Sequence, residues 1–148
     1  MRRLLCCLFA LLPFGLWAAD ISISKPWVKG TLPTATATTA HFEIFSDDAL
    51  TLVAAQTPLA ERVELRVMRF ALDGGPLRPQ TVTEIAIPAR KRMQFTPVSE
   101  HLALVGLHQP VKGGQRIPLT LVLRAQDGSE RRVEVEALGR DLLGGPQP

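Results

Sequence analysis

The segment Val63-Glu64-Leu65-Arg66-Val67-Met68 puts a β-branched or leucine side chain at every second position, and Ala40-His41-Phe42-Glu43-Ile44-Phe45 repeats the alternation. A period of two sends successive side chains to opposite faces of an extended chain, so each segment predicts a β-strand with two distinct faces. Ile21 and Ile23 alternate with Ser22 and Ser24, and runs of the same kind recur at 82–87, 92–95, 100–107, 119–124 and 131–137. No stretch holds helical spacing over three turns. The pattern predicts an all-β sandwich or barrel of about eight strands, with Phe42, Ile44, Val63, Leu65, Leu102, Leu104, Leu121 and Val133 inside.

The punctuation between runs agrees. Asp73-Gly74-Gly75-Pro76, Lys112-Gly113-Gly114 and Asp127-Gly128-Ser129 supply residues that tolerate positive φ. Asp127-Gly128, between the last two runs, is the strongest hairpin signal in the chain. Residues 30–39, rich in Thr, Ala and Pro, predict a loop. Neither an internal repeat nor a linker divides the chain.

Arg2 and Arg3 precede an apolar stretch from Leu4 to Trp17 that ends in Ala18-Ala19. This order of a basic start, an apolar centre and small residues predicts a secretory signal peptide over residues 1–19. The stretch contains Pro13 and Gly15 and is shorter than the ~20 residues a spanning helix needs, so no transmembrane segment is expected in the mature chain. A single domain is expected over 20–140, followed by a flexible tail over 141–148, in a periplasmic monomer. Both cysteines, Cys6 and Cys7, fall within the signal, which removes disulfides and Cys-ligated metals from consideration.

Without Arg2 and Arg3 the 17 basic residues become 15 against 14 acidic ones, a formal charge of +1 that gives nucleic-acid binding no support. Arg90-Lys91-Arg92 beside Pro88, and Asp47-Asp48 after a strand, read as solvated turns. No Gly-x-Ser-x-Gly, His-Glu-x-x-His or phosphate-cradling loop is present, so an enzyme is not expected. Metal binding is the remaining chemistry. Imidazole and thioether donors suit Cu(I) where thiolates are absent, and the candidates are His41, His101, His108, Met68 and Met93.

Several segments, taken in order, resemble a known family. They are Lys25-Pro26-Trp27-Val28-Lys29, Thr39-Ala40-His41-Phe42, Ala60-Glu61-Arg62-Val63-Glu64-Leu65, Leu77-Arg78-Pro79, Ile87-Pro88-Ala89, His101-Leu102-Ala103-Leu104-Val105-Gly106-Leu107 and the stretch from Gly114 to Leu121. The chain is similar to the PCu(A)C periplasmic copper chaperones, cupredoxin-like β-sandwiches that hand Cu(I) to respiratory copper centres. The resemblance implies a Cu(I) site made of a His directly after the Glu-Leu pair, a Met directly before Arg-Pro, and a later His-x-Met. Arg66, Leu77 and Ala103 stand at three of those positions and bring no soft donor, so His101 alone remains. The interval from Leu77 to His101 exceeds the family's, which implies a small insertion before Pro88.

The resemblance therefore implies a non-enzymatic domain linked to copper trafficking or copper-centre assembly, with a periplasmic copper protein or assembly factor as its partner. It has no cofactor, or binds Cu(I) weakly. Met68 lies two positions from Arg66 on the same strand face, so Met68 with His101 is the expected weak site if their strands are neighbours. His41 and Met93 are further donors without motif support. The alternative is a metal-free interaction module on the same fold.

Overall fold

The computed structural model describes residues 20–142. Among these, ten strands form: β1 (Ile21–Lys29), β2 (Ala37–Ser46), β3 (Leu50–Gln56), β4 (Ala60–Phe70), β5 (Leu77–Val82), β6 (Ile85–Ile87), β7 (Met93–Phe95), β8 (His101–Leu107), β9 (Arg116–Ala125) and β10 (Glu130–Arg140). They join in the order β5-β4-β8-β2-β1-β10-β9-β3-β6, with β7 paired to the far end of β2. Only β1 and β10 run parallel among these pairings. The chain passes from β5 at one end of this order to β6 at the other through Thr83 and Glu84 alone. So short a link spans no more than about 11 Å, so the two ends of the sheet meet and the sheet closes over its own apolar face. The result is the all-β, cupredoxin-like sandwich.

The apolar face follows the alternation. Ala40, Phe42 and Ile44 on β2, Leu65 on β4, Leu102 and Leu104 on β8, and Ile117, Leu119, Leu121 and Leu123 on β9 are buried together. Phe42 stacks on Phe95 with ring centroids 4.3 Å apart, pinning short β7 to β2. Val63 and Val133, expected inside, are only partly buried and pack against the edge of this core.

The strand count exceeds the expected eight for identifiable reasons. In β3 the register shifts between Leu52 and Ala54, and the bulge erases the alternation that would have revealed it. β5 is an edge strand in which only Val82 is not exposed, and it carries Pro79, which lacks the ladder N–H; no apolar period marks it. The run 82–87, read as one strand, is divided between β5 and β6, which pair with different partners. The loop after β1 ends sooner than residue 39: β2 starts at Ala37, and the Thr38 hydroxyl donates to the Lys29 carbonyl at 2.6 Å.

The turn readings match the backbone. Gly74, Gly114 and Gly128 take positive φ, and β9 and β10 form the hairpin around Asp127-Gly128. Arg90 also has positive φ, exposed in the turn that joins β6 to β7. The expected signal peptide at 1–19 and most of the expected tail, 143–148, lie outside the described residues. Asp141 is anchored, its Oδ1 accepting from Gly113 N at 3.0 Å. Among the described residues no helix is long and apolar enough to cross a membrane.

Candidate functional site

Cross-strand register places one row of side chains across the face opposite the core. Trp27 on β1 pairs with His41 on β2, and Arg66 on β4 pairs with His101 on β8 and with Thr81 on β5. β2 and β8 pair at Ala40 and Leu102, so His41 and His101 follow one step along, with ring centroids 6.1 Å apart. The row therefore reads Trp27, His41, His101, Arg66, Thr81. Beside it runs a second row, Thr39, Ala103, Glu64.

His41 lies on the face of β2 opposite the core residues Ala40 and Phe42. It is only 1% exposed, and Trp27 covers it with ring centroids 4.3 Å apart. The Arg140 guanidinium lies 4.2 Å from the centroid of Trp27, a cation–π contact that holds the indole in place. His41 Nε2 is 2.9 Å from Thr39 Oγ1, while Nδ1 is buried with no hydrogen-bond partner among the described residues. Burial lowers the His41 pKa to about 4, helped by His101, Arg140 and Lys29; the Phe95 backbone, outside hydrogen-bond geometry, opposes this slightly.

His101 is 4% exposed, and its Nδ1 donates to the Ser99 carbonyl at 3.2 Å. That bond fixes the tautomer, leaving the lone pair on Nε2. Burial pushes the His101 pKa down and the Arg66 cation adds to it, against the Ser99 hydrogen bond and the Glu100 charge. Arg66 is itself engaged: Nε and Nη2 donate to Glu64 Oε2 at 3.2 and 2.8 Å. These bonds hold the Glu64 carboxyl below its usual range.

An open depression of about 450 Å³ lies over the second row, with Thr39, Ala103 and Arg66 on its floor and Lys29, Leu32 and Leu142 around it. Two of the three positions where the resemblance calls for a donor, Arg66 and Ala103, thus border one depression next to the His pair. Leu77 does not. It pairs with Phe70 at the far end of the β4–β5 hairpin, four residues from Thr81, or about 13 Å along the strand.

Met68 lies one step beyond Arg66 on the same face, which makes it a diagonal neighbour of His101, and β4 and β8 are indeed adjacent. Met93 pairs with core residue Ile44 and packs against the core instead. His108 is exposed beyond the end of β8, where its N–H donates to the Leu59 carbonyl. The residue that sequence reasoning undervalued is His41. Its only signal was an imidazole in the middle of an alternating strand, and the contact with His101 depends on two strands that are 60 residues apart in sequence.

No cluster of three or more His, Cys, Asp and Glu side chains suited to a metal forms among the described residues. The donors at hand are two imidazoles and one thioether.

Residues 21–137 match the family described as "Putative lipoprotein LpqE-like". A relative from Leifsonia xyli subsp. xyli, "Putative lipoprotein Lxx21020", is 28% identical over 121 residues, 82% of this chain and 71% of the relative. The Cu(I) form of DR1885 from Deinococcus radiodurans superposes with a TM-score of 0.57 at 28% identity, over 84% of this chain and 79% of that one. A copper-bound PCuAC domain from PmoF2 superposes with a TM-score of 0.64 at 20% identity, over 84% of this chain and 97% of that domain, a likeness of fold.

Proposed function

The chain belongs to the LpqE-like family, and from that premise we propose that it is a periplasmic copper-handling domain, reached through a signal peptide at 1–19, that carries Cu(I) as cargo and catalyses no reaction. The observation that carries the reading is the position of His101. In a fold shared at 28% identity with a Cu(I)-bound protein, this imidazole stands beside the depression with its Nε2 lone pair available. Imidazole with the thioether of Met68 is a donor set suited to Cu(I) but smaller than the family's, so binding is weak and transfer to a periplasmic copper protein or assembly factor is correspondingly easy.

A second reading, a metal-free interaction module, is favoured by Arg66. A guanidinium paired to Glu64 occupies a position where a ligand is expected, and it places a permanent cation beside His101. Competition for Cu(I) against a chromophoric chelator, using the mature chain and His101→Ala, separates the two. The copper reading expects one equivalent bound by the parent and loss of that binding in the variant. A parent that takes no Cu(I) from the chelator establishes the metal-free module.

A further inference from the structure

We propose that His41 is a second Cu(I) ligand, so that His41 and His101 hold the ion between two imidazole nitrogens in a site that replaces the family's missing donors. The inference rests on the copper reading above and goes beyond it by naming a ligand at a position where the family motif has none.

Three observations carry it. The first is distance. A metal held between two imidazoles needs nitrogens about 4 Å apart, twice a metal–nitrogen bond of about 2 Å. The His41 and His101 centroids are 6.1 Å apart, and with about 1 Å from centroid to nitrogen on each side, ring nitrogens turned toward each other would be about 4 Å apart, the span the ion needs. The second is the lack of a partner. A buried polar atom without a hydrogen bond is costly, and Nδ1 of His41 is such an atom in a side chain only 1% exposed. When Nε2 donates to Thr39 Oγ1, Nδ1 carries a lone pair that a soft cation can use.

The third is preorganisation. Each ring is held through its other nitrogen, His41 by Thr39 and His101 by the Ser99 carbonyl, the arrangement that orients histidine ligands before the metal arrives. Trp27 packs against His41 and is itself held by Arg140, so the imidazole cannot swing out to solvent. The depression floored by Thr39 and Ala103 lies one row along the sheet from the pair, on the same face. The cations Arg66 beside His101, and Arg140 and Lys29 near His41, repel the Cu(I) charge, so the site holds the ion weakly.

The test is Cu(I) competition on the parent, His101→Ala, His41→Phe and Met68→Leu, with folding checked by circular dichroism. His41→Phe keeps a ring against Trp27 and removes the donor. We expect at least a tenfold loss of affinity in His41→Phe, comparable to His101→Ala, and a smaller loss in Met68→Leu. A folded His41→Phe that binds like the parent while His101→Ala does not overturns the inference and leaves the copper reading standing. A parent that binds no Cu(I) overturns both. Should His41→Phe not fold, copper-edge X-ray absorption on the loaded parent decides: two nitrogen donors support the site, and one nitrogen with sulfur overturns it.

Discussion

Arg66 stands directly opposite His101 on the β4–β8 pair, and its guanidinium is held by Glu64 through two hydrogen bonds to a single carboxylate oxygen. The pair sits at the surface with its side chains 31% and 21% exposed, so it contributes little to stability, and its main effect is to keep a cation beside the imidazole. Arg66→Met removes that cation and adds a thioether on the same strand face. Cu(I) affinity should rise at least tenfold, and Ala103→Met, on the same face two residues beyond His101, should raise it again. A double variant that folds and competes no better than the parent would mean that these two positions do not border the ion.

Trp27 is the single tryptophan of the described residues, and it lies against His41. A protonated imidazole quenches indole emission by electron transfer, so Trp27 fluorescence should report the charge of His41. The midpoint of its acid titration should fall near 4 and not near the ordinary histidine value of about 6.5. In His41→Phe the transition should vanish. A midpoint above 6 in the parent would show that the ring is far better solvated than its packing indicates.

The same burial makes stability depend on pH. His41 takes up its proton near pH 6.5 when unfolded but only near 4 when folded, so between these values the unfolded chain binds more protons. Stability contributed by the neutral ring is complete above about pH 6.5 and falls as the solution is acidified, levelling off below about 4; the whole change is about 3 kcal/mol. Urea unfolding of the parent and His41→Phe across this range checks it. The parent curve should lose stability toward pH 4 more steeply than the variant's, and parallel curves would refute the assignment.

Gly139 brings β10 against the loop before β9: its N–H donates to the Gln115 carbonyl and its carbonyl accepts from Gly114, while an added Cβ would collide with the Lys112 carbonyl oxygen. Gly139→Ala must push backbone from backbone. The expected cost is about 2 kcal/mol or more, a drop of roughly 8 °C in Tm, with the β-rich circular dichroism retained. An unchanged Tm would show that this loop yields freely.

The sequence by itself determined most strand faces, most of the core and the β9–β10 hairpin, because a period of two and a turn glycine act through the backbone of a few consecutive residues. Phe42, Ile44, Leu65, Leu102, Leu104 and Leu121 are buried as that period requires. It also singled out His101, and the places on the family pattern where Arg66 and Ala103 bring no donor. The bulged strand β3 and the exposed edge strand β5 escaped, since one interrupts its alternation and the other buries too little to need one. Only the tertiary structure decided that His41 and His101 meet and that Leu77 stands away from them. Those relations depend on which strands become neighbours and in which register, and that is set by burying the whole sheet's apolar face at once. No local pattern around residue 41 encodes that its ring is sealed by Trp27 from β1 and set 6.1 Å from an imidazole on β8.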